Sequence, residues 1–414
     1  MNIALLAGTH SGCGKTSVML ALLQTLTATG LKVSSFKTGP DFLDPLWHQA
    51  VTGKPSYNLD TQMVGLENSL YQLQRQADGC DVALIEGVMG LFDGRSGVGE
   101  SGSSLDLARQ LNAPVWLVVD VSGMAGSVVP LVQGFVDAAK QKNVTISGII
   151  ANRVGSSYHA ELIAQLLKDH HQPPLIAWLE KNAPELPERH LGLVLPDNVP
   201  NFLPSFHWLD NVTWQDCQVP AQKNPHQQRL KNKTIAVARD EAFCFIYPAN
   251  LDCLLAEGAN IEFFSPLAGD VLPPCDAVWL AGGYPELHAE TLSTTPTWLS
   301  LREFIEAGKP VLAECGGMMV LGKTLIDSNG TEWNMANIMP FSTVMQANLV
   351  ALGYREYKNL RGHEFHFSKR INDENLPACF ALERGDNGVC YKNVRAAYIH
   401  WYFASDMATV VQWF

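Results

Sequence analysis

The hydrophobic pattern of the first half predicts strands that alternate with helices. Short unbroken apolar runs are typical of strands buried on both faces of a parallel sheet. Such runs occur at 3–7, 33–36, 82–85, 115–119 and 144–150. Over 15–27, apolar residues recur at helical spacing. This alternation favours an α/β fold with a doubly wound, mostly parallel sheet.

The pattern changes between about Pro184 and Asn232, where prolines and side-chain amides are frequent. This composition predicts irregular structure. A second α/β pattern follows, with apolar runs at 234–238, 261–264, 277–281 and 310–313. We therefore predict a first domain over 1–190, a linker over 191–232 and a second α/β domain over 233–414.

Composition excludes several classes of protein. The 414 residues are 47% hydrophobic and 17% charged, which is typical of a globular chain of two or three domains. The net charge of −12 argues against a nucleic-acid partner, which requires a basic face. The most apolar long window, 114–135, contains Asp120, Ser122 and three glycines, so we expect no membrane span.

The cysteines indicate a reducing compartment. There are nine, an odd number, and none forms a CxxC pair, which argues against a zinc ribbon or a thioredoxin-like site. The first residues, MNIALLAGTHSG, do not have the form of a signal peptide. We expect free thiols and a cytoplasmic protein.

The segment GTHSGCGKT lies between the first predicted strand and the first predicted helix, which is the context of a phosphate-binding P-loop. Glycines let backbone N–H groups point at phosphate oxygens, and the helix N-terminus favours an anion. Lys15 is expected to reach the β and γ phosphates of ATP. The spacing is a variant, because Thr9 stands where the first glycine of GxxxxGK[ST] is usual; a glycine-rich turn without chemical role is the alternative. The predicted nucleotide contacts are Thr9, Ser11, Gly12, Cys13, Gly14, Lys15 and Thr16.

Carboxylates follow two of the predicted strands, where open α/β sheets bind ligands. We predict that Mg²⁺ is held by the Thr16 hydroxyl, Asp41 and Glu86, with Asp44 and Asp93 as second candidates. For any one of these aspartates, a helix cap or a turn is the alternative role.

Asn152 ends another predicted strand. Its amide offers both a donor and an acceptor, as contact with an adenine edge requires, so we add it to the predicted nucleotide contacts. A role in turn geometry is the alternative.

The segment AECGGMM in the second half has the form of a nucleophile elbow, a sharp turn between a strand and a helix. Cys315 is the predicted nucleophile, with small residues two positions before and after it. We expect the helix N-terminus to lower the pKa of its thiol. The backbone N–H of Gly316 is placed to stabilise an oxyanion. A buried, inert cysteine is the alternative.

A thiol nucleophile requires a base, and His400 at the end of a strand-like run is the first candidate. His363 and His366 are rivals, and each of the three could instead be a structural histidine. Gly282 and Gly283 follow another predicted strand, and their backbone amides could approach a bound substrate.

These motifs together resemble the cobyrinic acid a,c-diamide synthase family of glutamine-dependent amidotransferases. The resemblance covers nearly the whole chain and is carried, in order, by GTHSGCGKT, KTGPDFLDPLWH, IEGVMGLFDG, NRVGS, LPERHLGLV, AGGYPE, AECGGMM, GHEFHFS and YIHWYF. It implies a first domain similar to dethiobiotin synthetase and a second domain similar to class I glutamine amidotransferases.

The resemblance implies that ATP phosphorylates the a and c acetate carboxylates of a corrinoid, and that glutamine supplies the nitrogen. Cys315 would form a thioester, and ammonia would travel to the acyl phosphate. The implied partners are small molecules (a corrinoid tetrapyrrole, L-glutamine and ATP with Mg²⁺), and a homodimer is left open. Phe42, Trp47 and Tyr57 could face the macrocycle or lie in the core.

The sequence departs from many class I amidotransferases at one position. The glutamate that usually stands two residues after the histidine is replaced by Tyr402. We therefore expect a Cys–His dyad, or a third residue supplied from elsewhere.

Other substrates and functions stay open. Hydrogenobyrinic acid and nickel sirohydrochlorin compete with cobyrinic acid as the substrate, and no single residue decides between them. A P-loop regulatory ATPase, or a nucleotide-binding scaffold with an inert second domain, is the alternative from another class.

Overall fold

The chain folds into two compact units, Met1–Asn224 and Pro225–Phe414. The computed structural model describes residues 2–94, 101–189, 192–193, 195–196, 198–209, 212, 214–216, 227–373 and 375–414. Cys217 and part of the LPERHLGLV motif lie outside the described residues. None of the helices in these ranges combines the length and hydrophobicity that a membrane span requires.

The first unit is built on a nine-stranded sheet, counted over the described residues. Its strands are β1 (Asn2–Gly8), β2 (Val33–Thr38), β3 (Tyr57–Leu59), β4 (Val82–Gly90), β5 (Val115–Asp120), β6 (Ile146–Val154), β7 (Leu175–Glu180), β10 (Phe206–Trp208) and β11 (Gln215–Asp216), and a separate pair is formed by β8 (Glu188–Arg189) and β9 (Gly192–Leu193). The order is β10-β7-β6-β5-β1-β4-β2-β3, with β11 also paired to β1. All neighbours are parallel except at β10 and β11, which confirms the predicted mostly parallel sheet.

In the described part of this unit, six α-helices connect these strands. They are α1 (Lys15–Ala28), α2 (Leu43–Thr52), α3 (Leu66–Ala77), α4 (Ser104–Leu111), α5 (Val128–Gln141) and α6 (Ser157–Asp169). Strand β1 lies between β4 and β5, so the chain reverses its winding direction at β1. This reversal opens a crevice at the carboxyl end of β1, where such sheets bind ligands.

Part of the segment predicted as an irregular linker contributes to this sheet. Strand β10 pairs antiparallel with β7, and β11 pairs antiparallel with β1. The rings of Trp208 and Trp214 pack on Trp116, with centroids 5.8 and 5.0 Å away. Aromatic residues scattered among prolines have no regular period, so the hydrophobic pattern gives no sign of this packing.

The second unit has a six-stranded sheet in the order β13-β12-β14-β15-β23-β22, counted over the described residues. Its strands and those of two smaller sheets are β12 (Thr234–Ala238), β13 (Asn260–Phe264), β14 (Ala277–Leu280), β15 (Val311–Glu314), β16 (Thr324–Ile326), β17 (Glu332–Asn334), β18 (Ser342–Met345), β19 (Ala351–Tyr357), β20 (Leu360–His366), β21 (Ser368–Ile371), β22 (Val389–Tyr391), β23 (Val394–Ala397) and β24 (Ile399–Tyr402). The helices are α7 (Pro248–Ala256), α8 (Ala289–Thr294), α9 (Thr297–Glu306), α10 (Gly316–Met319) and α11 (Met407–Val410). The predicted second α/β domain is thus confirmed as a fold class.

Candidate active site

The P-loop connects β1 to α1 as the sequence predicts. Gly12 and Gly14 have φ angles of 82° and 88°, in the left-handed region that favours glycine. A Cβ at Gly14 would lie 2.0 Å from the Asn152 side-chain nitrogen, so this position is also closed by packing. Lys15 is only 8% exposed, and burial lowers its pKa. The conformation of this loop therefore requires glycine at both positions.

Asn152 lies beside this loop. Its amide nitrogen donates to the Cys13 carbonyl oxygen at 2.9 Å, and its amide oxygen accepts from the Arg153 backbone at 2.8 Å. Both polar atoms thus stabilise the loop and the end of β6. Contact with adenine remains a prediction.

A network of charged side chains lies where β2 and β4 end near the P-loop. The Thr16 hydroxyl donates to Glu86 Oε1 at 2.8 Å and lies 3.5 Å from Asp44 Oδ2. The Lys37 ammonium forms an ion pair with Asp44 and lies 3.1 Å from Glu86 Oε1. All three groups are buried. Burial, together with the neighbouring Asp41 and Glu86, raises the pKa of Asp44 although Lys37 opposes this, whereas Asp44 and Glu86 raise the pKa of Lys37 against its burial.

His48 completes this network from α2. Its Nε2 lies 2.7 Å from Glu86 Oε2, and its Nδ1 lies 3.0 Å from the Ser56 hydroxyl. Burial opposes the ionisation of Glu86, but the charge of Lys37 and the hydrogen bond with His48 outweigh it and lower the Glu86 pKa. Glu86 therefore stays ionised, and its carboxylate oxygens can serve as ligands for a metal ion.

The other predicted acids serve local structure. Asp41 Oδ1 accepts from the backbone of Leu43 at 2.8 Å and of Asp44 at 3.1 Å, which stabilises the start of α2. Asp93 accepts from Gly90 at 2.9 Å within a turn. The structure thus brings Asp44, rather than Asp41, into contact with Thr16.

In the second unit, Cys315 stands between β15 and α10 in a strained conformation. Its φ of 46° and ψ of −106° are unusual for a residue with a side chain, as expected of a nucleophile elbow. Its backbone nitrogen donates to Ala397 at 2.7 Å. A Cβ at Gly317 would lie 2.3 Å from the Leu280 oxygen, so the turn requires a glycine there.

Gly282 brings Cys315 and His400 together. A Cβ at Gly282 would lie 2.2 Å from His400 Cε1 and 3.4 Å from Cys315 Cβ. One glycine without a side chain therefore borders both the predicted nucleophile and the predicted base. Gly283 and Gly316 are also in close contact with each other, since a Cβ at Gly316 would lie 3.0 Å from the Gly283 nitrogen.

The rival histidines are on β20, next to β24. His363 pairs with His400 in register, their rings stack with centroids 5.0 Å apart, and His363 Nδ1 bonds to the Tyr247 hydroxyl at 3.0 Å. His366 bonds to Glu364 at 2.9 Å and stacks on Tyr398. The atoms nearest to a Cβ at Gly282 belong to His400 and Cys315, and neither of the other two histidines contributes to them.

The expectation that the helix N-terminus lowers the pKa of the Cys315 thiol is wrong. Burial raises this pKa well above its ordinary value, and the Glu286 carboxylate adds to the rise, while a hydrogen bond from Gly316 opposes it. The helix α10 has four residues and Cys315 is 6% exposed, so loss of water dominates over the helix terminus. Burial also lowers the pKa of His400, so the pair rests as a neutral thiol and a neutral imidazole.

Sequence reasoning missed two acids beside this pair. Glu314 is buried and accepts from the Trp279 indole at 3.0 Å and from the Trp401 backbone at 2.9 Å. Burial raises its pKa to about 8. Burial also raises the pKa of Glu286 to about 7. Both stood in the quoted motifs AECGGMM and AGGYPE, next to the residues that received a role.

Comparisons with known proteins account for both units. A family model described as "CobQ/CobB/MinD/ParA nucleotide binding domain" matches residues 4–194. A second family model, described as "CobB/CobQ-like glutamine amidotransferase domain", matches residues 234–408. A cobyrinate a,c-diamide synthase of Herminiimonas arsenicoxydans is 41% identical over 100% of this chain and 96% of its own. The chain belongs to the cobyrinate a,c-diamide synthase family.

Other members of the cobyrinate a,c-diamide synthase family are similarly close. The cobyrinate a,c-diamide synthase of Salmonella typhimurium is 37% identical over 99% of this chain and 96% of its own. The hydrogenobyrinate a,c-diamide synthase of Stutzerimonas stutzeri is 40% identical over 97% and 96%. The resemblance stated from the motifs is confirmed, and the family consists of glutamine amidotransferases with a nucleotide-binding domain.

Tyr402 is the position at which the sequence departs from many class I amidotransferases. Tyr402 is buried on β24, and its ring contacts Tyr247 edge to face at 5.7 Å. No carboxylate therefore stands at this position to orient His400. Trp47 and Tyr57 are buried as well, so they lie in the core of the first unit.

Proposed function

We propose that this protein uses ATP and glutamine to amidate the a and c acetate carboxylates of cobyrinic acid in cobalamin biosynthesis. The names of its relatives support this substrate class, and both family models support the pairing of a nucleotide site with a glutaminase. The observation that carries the proposal is that Gly282 lies in contact with both Cys315 and His400, which places the nucleophile and the base side by side. A regulatory ATPase would have no need for this arrangement.

The nucleotide unit solves the first chemical difficulty, which is that a carboxylate does not react with ammonia at neutral pH. A carboxylate oxygen of the corrinoid attacks the γ phosphorus of ATP, and ADP leaves, giving an acyl phosphate. Lys15 and Lys37 are the cations available to balance the charge of the transferred group. The P-loop amides supply further donors.

The donor set beside the P-loop fits Mg²⁺. It contains the Thr16 hydroxyl and the carboxylates of Glu86 and Asp44, and hard oxygen donors are what Mg²⁺ prefers. Asp41 keeps its place in the predicted set. Among the described residues no group of three or more His, Cys, Asp or Glu is arranged to hold a metal by itself. Mg²⁺ generally binds proteins through one or two carboxylates together with substrate phosphates and water. Bound there, Mg²⁺ would neutralise charge on the β and γ phosphates.

The glutaminase unit supplies ammonia. His400 accepts the Cys315 proton as Sγ attacks the glutamine amide carbon, and the backbone of Gly316 is expected to donate to the oxyanion. The proton returns to the leaving nitrogen, so ammonia departs and a thioester remains. Water then hydrolyses the thioester to glutamate, and ammonia displaces phosphate from the acyl phosphate.

Removal of the nucleophile tests the proposal. In Cys315→Ser, we expect glutamine-driven synthesis to fall by at least ~10³-fold, because the thiolate is lost, while synthesis from ammonium chloride is kept. Cys275→Ser, at a half-buried cysteine of the same unit, is the matched control and should keep both activities. Intact glutamine-driven turnover in Cys315→Ser would overturn the assignment.

The choice of tetrapyrrole is a separate question. The relative named for hydrogenobyrinate is 40% identical, against 41% for one named for cobyrinate, so identity does not separate these substrates. We favour cobyrinic acid. Mass spectrometry after incubation of cobyrinic acid, hydrogenobyrinic acid or nickel sirohydrochlorin with ATP, Mg²⁺ and glutamine decides, since each amidation lowers the mass by about one unit (O–H replaced by NH₂).

Two further expectations accompany this function. A cytoplasmic location would supply ATP and glutamine and keep the thiols reduced. A homodimer is an expectation that light scattering of the purified protein would check.

A further inference from the structure

Two cysteines outside the catalytic residues have their sulfur atoms in contact. Cys379 Sγ and Cys390 Sγ lie 2.7 Å apart, and both thiols are free. A disulfide has an S–S length of about 2.05 Å, so a shift of well under 1 Å joins them. Both residues are half-buried.

The backbone holds these two residues in place. Cys390 donates from its backbone to Pro377 at 2.8 Å, and Cys379 donates from its backbone to Asn387 at 3.1 Å. Cys390 is on β22, in register with Arg395 of β23. The contact between the sulfurs is thus fixed by the chain on both sides and does not depend on a flexible end.

The reactivity of the pair is unequal. The hydrogen bond with Cys379 and the nearby Arg395 lower the pKa of Cys390 to about 7, although burial opposes this. The same hydrogen bond raises the pKa of Cys379. The lowered pKa favours Cys390 as the attacking thiol, with Cys379 as the resolving thiol.

The segment between the cysteines supports the candidate glutaminase site. Asp386 accepts from the Tyr398 backbone at 2.7 Å, two residues before His400. It also binds Arg370, whose guanidinium lies 3.0 Å from the sulfur of Met318, three residues after Cys315. A covalent closure of residues 379–390 would therefore hold a segment in contact with the supports of both catalytic residues.

We propose that Cys379 and Cys390 form a reversible disulfide by exchange with a small-molecule disulfide, and that this bond clips residues 379–390 in place. The Cys390 thiolate attacks one sulfur of oxidised glutathione, giving a mixed disulfide and releasing one glutathione. Cys379 then attacks the Cys390 sulfur and releases the second glutathione. Two protein thiols are oxidised, one glutathione disulfide is reduced to two thiols, and both protons end on glutathione. This proposal stands independently of the tetrapyrrole substrate.

The test is incubation of the full-length protein with mixtures of reduced and oxidised glutathione, followed by alkylation, digestion and mass spectrometry. We expect a cross-linked peptide pair containing Cys379 and Cys390, which dithiothreitol separates. In Cys379→Ser, a glutathione adduct on Cys390 should persist because the resolving thiol is absent. Cys80→Ser, at a half-buried cysteine of the other unit, is the matched control and should leave the cross-link unchanged.

A second measurement follows the clip itself. The melting temperature of the oxidised protein should exceed that of the reduced protein by roughly 5 °C or more, since a short loop is closed in the unfolded chain. Cys379→Ser should abolish this difference, whereas Cys80→Ser should not. Alkylation of both cysteines at every glutathione ratio, or equal melting temperatures of the cross-linked and reduced protein, would overturn the proposal.

Discussion

The two units place their chemistry at the same kind of position, a turn from a parallel strand into a helix, but by different physical means. Around the P-loop, Lys37, Asp44 and Glu86 are buried together, and the charge of Lys37 keeps the Glu86 carboxylate ionised against its burial. Around Cys315, burial pushes both the thiol and His400 towards their neutral forms. The first arrangement suits a highly charged substrate such as ATP, and the second suits a neutral amide. Charge organises one site and close packing organises the other.

The largest effect should come from removing the central cation of the charged site. In Lys37→Met, the buried Glu86 carboxylate loses its cationic partner and Asp44 loses its ion-pair neighbour, so we expect a loss of about 3–5 kcal/mol in unfolding free energy. Synthesis should fall at least ~100-fold with glutamine and with ammonia alike. Urea unfolding and product assays measure both effects. Lys54→Met, at an exposed lysine, is the control; equal stability of the two variants would show that the charge network is not what holds this site.

The packed site should instead be sensitive to a single methyl group. In Gly282→Ala, the new Cβ would lie 2.2 Å from His400 Cε1, so the imidazole must move away from Cys315. We expect glutaminase activity to fall about 100-fold, in line with a misplaced catalytic group, while ammonia-driven synthesis is unchanged. Gly134→Ala, in α5 of the first unit, where the surrounding space is open and the φ angle lies outside the left-handed region, controls for the addition of a methyl group. Wild-type glutaminase activity in Gly282→Ala would contradict the packing argument.

A smaller effect should appear in the pH dependence of stability. The pKa of Glu314 is raised from 4.5 to about 8 in the folded state, so the folded protein keeps a proton that the unfolded chain has lost. Stability from this group is full below pH 4.5 and is lost as pH rises through 8. Between pH 6 and 9, unfolding free energy should fall by about 2 kcal/mol more in the wild type than in Glu314→Gln.

The glutamine variant also loses one acceptor for Trp279 or Trp401, which gives an offset that does not vary with pH. Only the difference in slope therefore reports on ionisation. Parallel pH profiles for the two proteins would mean that Glu314 is already ionised in the folded state.

The smallest effect should follow the loss of a neutral support of the P-loop. Asn152→Ala removes the hydrogen bond to the Cys13 carbonyl and the bond from Arg153. We expect the KM for ATP to rise about tenfold, equivalent to roughly 1–2 kcal/mol, with glutaminase activity unchanged. Initial rates at varied ATP measure it. A loss of glutaminase activity in this variant would contradict the expectation that Asn152 affects the nucleotide site alone.

The part of each site that could be predicted from sequence is the part encoded locally. The P-loop and the Cys315 elbow are short segments in which glycines, a strand and a helix stand side by side, and the structure has them where the pattern predicts. His48 and Glu314 were missed because their partners are distant in the chain: His48 contacts Glu86 from 38 residues away, and Glu314 contacts Trp401 from 87 residues away. Lys37 was missed although one of its partners, Asp44, is only 7 residues away. Such pairs leave no periodic signal. The pKa of Cys315 was predicted in the wrong direction because burial depends on the whole fold.

The backbone bonds around Cys315 set a strict spacing on the strands that follow. The backbone N–H of Cys315 donates to the Ala397 carbonyl oxygen, and the Glu314 carboxylate accepts from the backbone N–H of Trp401. These two hydrogen bonds fix the chain on both sides of His400. Successive residues of a strand point to opposite faces. Inserting or deleting one residue between 397 and 401 would therefore turn His400 away from the sulfur, however conservative the inserted residue. Length, as much as side-chain identity, is under constraint in this short stretch.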